Sequence, residues 1–331
     1  MKWIFVRLIR SVLTALIVIS LTFFLMRLMP GSPVEMTYYH YITVLRLDPE
    51  QAKMLVKASF NIDLDSPIHV QYLNYMYNLF TRGDLGKSLT RGSPVIEIIS
   101  NDLPWSVFTL SIAIFSSFLL GILLGSFLAY RGGIIDKIFT QFFTILSCIP
   151  SYIIGIFLIF ILILQLRMFP SGGRVSLGVK PGFTLEFIAD VLWHAALPTL
   201  SYLLVYLGGW VISMKGSAIS VLGSDYVLAA EARGLKKRKI MQSYVMRNAI
   251  LPLFTSLMIS LGYMFGGAVF IENLFAYPGI GYTLMWALNN RDYPLLQGIL
   301  NIIILAIILS NLVADLTYSM LDPRVRRGES A

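Results

Sequence analysis

The 331-residue chain has one cysteine, three histidines and few charges, with Asp, Glu, Lys and Arg making up only 13% of its residues. Cys148 alone can neither close a disulfide within one chain nor build a cysteine-based metal cluster, and its apolar neighbours predict a buried, inert thiol. His40, His69 and His194 lie too far apart in sequence to suggest a zinc site, and neither H-E-x-x-H nor G-x-S-x-G occurs. No catalytic residue, metal or cofactor is therefore expected in this chain. A phosphate-cradling loop is missing too. Gly86-Lys87-Ser88 supplies the tail of G-x-x-x-x-G-K-[ST], but Thr81 stands where the first glycine belongs and no strand pattern precedes it. The net charge of +8 comes from basic residues scattered between apolar runs, without the long tract and interleaved aromatics that nucleic-acid binding would need.

What the chain has instead is apolar sequence in long runs: 56% of its residues are hydrophobic and its mean hydropathy is +0.74. Lipid is the solvent this composition fits. About 20 apolar residues are needed for a helix to cross a hydrocarbon layer of about 30 Å. Six runs qualify, at 11–29, 104–130, 138–166, 194–214, 251–271 and 295–320. The expected fold is an all-α polytopic membrane protein with six transmembrane helices. Its segments are a first helix at 1–30, an external cap at 31–101, a five-helix core at 102–322 that includes a loop at 215–250, and a tail at 323–331. The start imitates a signal peptide, but its apolar run is longer than a signal core and no A-x-A site follows, so a retained helix is expected.

Lysine and arginine set the orientation. With the N-terminus inside, about fifteen of the 26 basic residues fall on the short inner segments, which predicts two cytoplasmic termini in a prokaryotic cell membrane. The ionisable residues Arg27, Lys215, Glu272 and Asp315 fall near run ends, where headgroups or water are within reach. They form no paired acidic constellation, and no inverted repeat of broken helices is visible, which disfavours an ion-coupled carrier. His194, beside Trp193, reads as an interfacial residue rather than a proton relay. In the cap, Pro49 and Pro67 predict short helices at 49–60 and 67–80. Its tyrosines, including Tyr38, Tyr39, Tyr41, Tyr72, Tyr75 and Tyr77, leave two readings open: an interfacial belt or a surface for an external partner. Gly121 and Gly125, like Gly262 and Gly266, have the spacing that lets helices approach closely.

The most informative stretch is the inner loop Ser224-Asp225-Tyr226-Val227-Leu228-Ala229-Ala230-Glu231-Ala232-Arg233-Gly234-Leu235, followed by Lys236 to Lys239. Ser224 or Asp225 can cap a helix, alanine favours one, and Gly234 permits a left-handed exit. The pattern predicts a short helix with a small-residue face, Tyr226 and Leu235 as apolar anchors, and a second, basic helix from 236 to 248. Pro252 would then sit in the first turn of the fifth span. Composition alone leaves open whether this loop docks a protein or lies on anionic lipid.

Asp225-Tyr226-Val227, Ala232-Arg233-Gly234-Leu235 and Arg247-Asn248-Ala249-Ile250-Leu251-Pro252 together resemble the EAA loop of permeases in binding-protein-dependent ABC importers. The similarity is greatest to B-type subunits of the oligopeptide/dipeptide family, although Leu228 stands where the general motif has Glu. Further resemblances occur in order along nearly the whole chain: Pro30-Gly31-Ser32-Pro33, Gln71-Tyr72, Arg82-Gly83-Asp84-Leu85-Gly86-Lys87-Ser88, Ile149-Pro150-Ser151, Glu272-Asn273-Leu274-Phe275 with Pro278-Gly279-Ile280-Gly281, Arg291-Asp292-Tyr293-Pro294, and Leu321-Asp322-Pro323-Arg324.

The resemblance implies a type I importer permease fold. It also implies a heterodimer with a second related permease, two cytoplasmic ATPases that bind the ATP and Mg, and an external solute-binding protein. Asp225, Tyr226, Ala229, Ala230, Glu231, Ala232, Gly234 and Leu235 would then form the coupling helix that transmits ATPase closure. Glu272, Asn273, Phe275, Tyr277, Pro278 and Gly279, with turn chemistry amid apolar sequence, would bend back and gate the outer mouth. Peptides are the expected cargo. Oligosaccharides and a nickel chelate are alternatives within the same architecture, and an ion-coupled carrier or an assembly scaffold is the alternative of another class.

Overall fold

The computed structural model describes residues 2–28, 33–60 and 66–321. The Pro30-Gly31-Ser32 signature, Asp63, Asp65 and the tail from Asp322 onward lie outside the described residues, as do the side chain of Arg27 and the surroundings of Gly266. Thirteen α-helices and two π-helical turns account for most of the described chain, which contains no strand apart from an isolated Lys87–Pro94 bridge. Among the described residues, five helices are long and apolar enough to cross a membrane, and a bent pair supplies a sixth crossing if it is one span. The chain divides into two compact units, Met1–Trp105 with Gly279–Leu309, and Ser106–Pro278 with Ser310–Ala331.

In the first unit, α1 (Lys2–Leu28) turns most of its apolar side chains outward, as a lipid-facing helix must. Its inner stripe, Ile19 and Phe23, packs on α2 (Pro33–Thr43), α3 (Pro49–Phe60) and α4 (Ile68–Arg82), with Val34, Val56, Phe60 and Tyr75 completing the core. Both expected cap helices are present, and α2 is an addition. Tyr72 and Tyr75 are packed into the core of this unit. They stack around Phe23 and Phe24, with ring centroids 5.3–5.6 Å apart. Tyr72 shares a 2.7 Å hydrogen bond with Ser20, and the fully buried Asn301 donates to the Tyr75 hydroxyl at 2.7 Å while accepting from Thr22. Burial pushes the Tyr75 hydroxyl up to about 12. Tyr39 and Tyr77 do remain exposed.

The same unit contains the starts of α5 (Val95–Arg131) and α13 (Tyr293–Leu321), together with α12 (Ile280–Asn289). At 37 residues, α5 is about 55 Å long and outruns the hydrocarbon layer, so it begins well before the apolar run that announces it. The loop between α4 and α5 gathers around a buried carboxylate. Asp292, fully buried, accepts from the hydroxyls of Ser88 and Thr90, both at 2.5 Å, and from the amides of Leu89 (3.1 Å), Thr90 (3.1 Å) and Leu295 (3.3 Å). Ser88 therefore serves Asp292 and not a phosphate. Gly86, at φ +85°, lies where a Cβ would strike the Ser59 carbonyl. Nearby, Thr283 donates to the buried Asp102 at 2.6 Å, and the Arg91 guanidinium lies 4.3 Å from the Trp286 ring centre.

In the second unit, α6 (Gly133–Cys148), α7 (Ser151–Leu158), α11 (Met246–Leu274) and the second half of α5 pack on α8 (Leu185–Leu222). Gly121 and Gly125 are contact points: a Cβ at either would collide with the Trp210–Met214 turn of α8. The third apolar run is not one straight helix. It breaks between α6 and α7, which continues as a π-turn to Gln165, with a bend of 97°. Pro150 has no N–H to donate and forces Ile149 into extended backbone (φ −80°, ψ 125°), which ends α6. Cys148 is exposed, not buried, because it lies on the outward face of α6 with Gln141 and Ile145, while Phe143 faces α8. Lys215 pairs with Asp136 at 2.6 Å and donates to Thr140 at 2.9 Å, tying α8 to α6. Glu272 reaches neither water nor headgroups, being 1% exposed within this unit.

Candidate functional site

The helix expected in the inner loop is α9, Asp225–Ala232. Ser224 stands at its N-cap with extended backbone, but its hydroxyl turns away and donates to the Val221 carbonyl at 2.6 Å. The exit is a full Schellman motif. Gly234, at φ +72°, sends its N–H to the Glu231 carbonyl (2.9 Å), and Leu235 sends its own to the Ala230 carbonyl (3.3 Å). Glycine is required there by backbone conformation, since open space surrounds the position of its missing Cβ.

Burial divides the helix into two faces. Val227 (0% exposed) and Ala230 (2%) point inward, against α10 and the π-turn beyond it. Asp225, Tyr226, Leu228, Ala229, Glu231, Ala232 and Gly234 are exposed, and Leu235 is half-buried. The outward surface is thus narrower than the sequence suggested: Ala229 and Ala232 belong to it and Ala230 does not. A charge at Ala230 would disrupt packing inside the chain before it met any partner. Tyr226 is fixed by its tip rather than its ring, since Asn248 Nδ2 donates to its hydroxyl at 3.1 Å. Asn248 is a site residue that the motif named without indicating its partner.

The basic helix is only the four-residue α10 (Lys237–Ile240), which runs through a π-turn, Met241–Val245, directly into α11. Pro252 is therefore inside a helix and not at its first turn. Val245, Ala249, Leu253 and Leu257, spaced by four and nearly fully buried, form one packed stripe through the proline. The Ser217 hydroxyl also anchors the Ala249 carbonyl at 2.8 Å. Tertiary burial outweighs the loss of one helical hydrogen bond to proline.

The second group of expected site residues surrounds the end of α11. Glu272, Phe275, Tyr277 and Gly279 are buried, Pro278 is half-buried, and Asn273 is exposed. The helix ends in another Schellman motif, with Ala276 at φ +44° in the place where glycine is usual: Ala276 bonds to the Asn273 carbonyl (3.2 Å) and Tyr277 to that of Glu272 (2.8 Å). The loop before α8 closes over this turn, with Gly173 N–H donating to the Ala276 carbonyl at 3.1 Å. Burial raises the Tyr277 hydroxyl above the usual phenol range and the Glu272 carboxylate adds to the shift, against an opposing pull from Arg174. Phe275 and Tyr277 face inward, so the solvent-facing positions of this turn are Asn273 and Ala276.

His194 is buried, nine residues into α8, where its Nδ1 lies 2.9 Å from the Asp190 carbonyl oxygen. Asp190 also accepts from the Ser176 amide and hydroxyl, both at 2.7 Å, so the pair fastens the loop before α8.

Two family models match the chain. One, for binding-protein-dependent transport system inner membrane components, matches residues 121–327, and one for the N-terminal part of such components matches residues 1–113. Among individual relatives, a probable peptide ABC transporter permease of Sinorhizobium fredii is 31% identical over 97% of this chain and 97% of its own length. A di/tripeptide transport system permease of Pseudomonas aeruginosa is 31% identical, over 92% of this chain and 93% of its own. A probable D,D-dipeptide transport system permease of Escherichia coli is 30% identical, over 93% and 92% respectively.

Proposed function

Since the chain belongs to the family of inner membrane components of binding-protein-dependent transport systems, we propose that it forms half of a peptide pathway, driven by separate ATPases through the outward face of α9. The observation that carries the coupling reading is the division of that helix. Its inner face is committed to the fold through Val227 and Ala230, while Tyr226, Leu228, Ala229 and Ala232 are presented outward on a rigidly capped turn. Small side chains there let a partner's groove approach closely, and the Schellman exit and the Tyr226–Asn248 bond make α9 move with α11 rather than yield under load.

In this reading a second, related permease completes the pathway and an external binding protein delivers the cargo. ATP and Mg are held by the ATPase subunits, and this chain contributes no cofactor. Both termini and α9 lie on the cytoplasmic side, where the basic residues gather. The turn at 272–279 lies on the opposite side and gates the outer mouth. Peptide cargo is supported by the transport functions for which the relatives are named.

The test is reconstitution of the chain with its partner permease, ATPases and binding protein in proteoliposomes. A peptide-loaded binding protein should stimulate ATP hydrolysis and peptide uptake, while the chain without ATPases should transport nothing down an imposed ion gradient. Gradient-driven uptake by the isolated chain would overturn the proposal.

A further inference from the structure

A groove with apolar and cationic lining lies beside the α10 segment. Its volume is about 400 Å³, within the range of clefts that take a small ligand. One wall is the end of α5, where Leu123, Phe127 and Tyr130, spaced by four and three, are each about half exposed. The other wall is the run from α10 through the π-turn into α11, which contributes Arg238, Gln242 and Met246, spaced by four. A π-turn widens a helix locally and is enriched at functional sites, and here it lies in the groove wall itself. Among the described residues, no acidic side chain lines the groove. At its polar end Arg238 is one of four consecutive exposed cations, Lys236 to Lys239, and α5 ends on Tyr130 and Arg131.

We propose that this groove binds an anionic phospholipid, with its phosphate on Arg238 and an acyl chain along Leu123, Phe127 and Met246. Charge complementarity identifies the occupant: the lining runs from the apolar Leu123, Phe127 and Met246 to the cationic Arg238, on helices long and apolar enough to cross a membrane. Phosphate suits a guanidinium, which offers paired donors in one plane, and the tyrosine at the helix end marks the depth where headgroups begin. The lipid would lie against the segment joining α9 to α11. The inference rests on membrane insertion alone and is independent of the peptide and ATPase assignments.

The test uses the full chain in nanodiscs, with Phe127→Trp as a reporter read as the difference from the parent protein. Bromine on the acyl chains of phosphatidylglycerol should quench this tryptophan more than the same fraction of brominated phosphatidylcholine, with about a fivefold preference for each engaged cation. Arg238→Gln should abolish the preference and Arg238→Lys should retain most of it. Arg238 is exposed, so both variants keep the fold. Equal quenching by the two lipids, a preference that survives Arg238→Gln, or no quenching because a protein partner covers the groove would each overturn the proposal.

Discussion

Replacing Asp292 by Asn leaves the side chain's shape almost unchanged and removes its charge, so its effect isolates what the carboxylate does. Oδ2 accepts three bonds, from the Ser88 and Thr90 hydroxyls and the Thr90 amide, and Oδ1 accepts two, from the Leu89 and Leu295 amides. An asparagine can keep its oxygen on the two amides at Oδ1. Its NH₂ then faces two hydroxyls, which can rotate to accept, and one backbone N–H, which cannot. The variant therefore orphans the Thr90 amide, at about 1–3 kcal/mol, and loses the charge assistance of the other bonds. A total of about 3 kcal/mol is expected, which raises the open population of the 83–94 loop on the order of 100-fold. Trypsin reads this at the exposed Lys87 and Arg91, in conditions where cleavage follows the opening equilibrium. A cleavage rate within about threefold of the parent's, in a protein still folded by its circular dichroism, would refute the assignment of Asp292 as the clamp.

Two further outcomes are expected from the packing. Lys215→Met should destabilise the α6–α8 contact by about 2 kcal/mol or more, by leaving Asp136 as a lone, largely buried charge, and adding Asp136→Leu should recover most of that loss, as a double-mutant cycle on thermal stability would register. Ala276→Gly should be neutral to stabilising by up to about 1 kcal/mol, against the usual sign for this substitution, because Ala276 carries left-handed strain at φ +44°; a clear loss of stability would contradict the cap geometry.

Much of this architecture is legible in the sequence because hydropathy and helix-stop chemistry act locally. The start of α3 follows from Pro49, and the end of α9 from Gly234, whose backbone angle is the one a left-handed exit needs. The illegible features depend on partners distant in sequence. Asp292 and Ser88 are 204 residues apart, and nothing near either announces their bond. Ile149-Pro150 is visible as a signature, yet whether a proline kinks a helix or is carried through it depends on the surrounding burial. Pro150 breaks its run, whereas Pro252 does not, because the Val245–Ala249–Leu253–Leu257 stripe is packed on both sides of it. The left-handed caps at Ala276 and Arg291 escape detection for the opposite reason, since glycine, the usual signal, is absent from both. In the candidate site, residue identities are readable from the motif, but the inward turn of Ala230 and the Asn248 contact emerge only when α9 is packed on α10 and the π-turn.

Coupling through the outer face of α9 is tested most directly by Ala229→Glu in the complete reconstituted importer. Ala229 is exposed on α9 and has no packing role, so the variant should insert and melt like the parent. It should lose both peptide uptake and the stimulation of ATP hydrolysis by loaded binding protein. Uptake and stimulation at parental levels would contradict the claim that the outer face of α9 couples the permease to its ATPases.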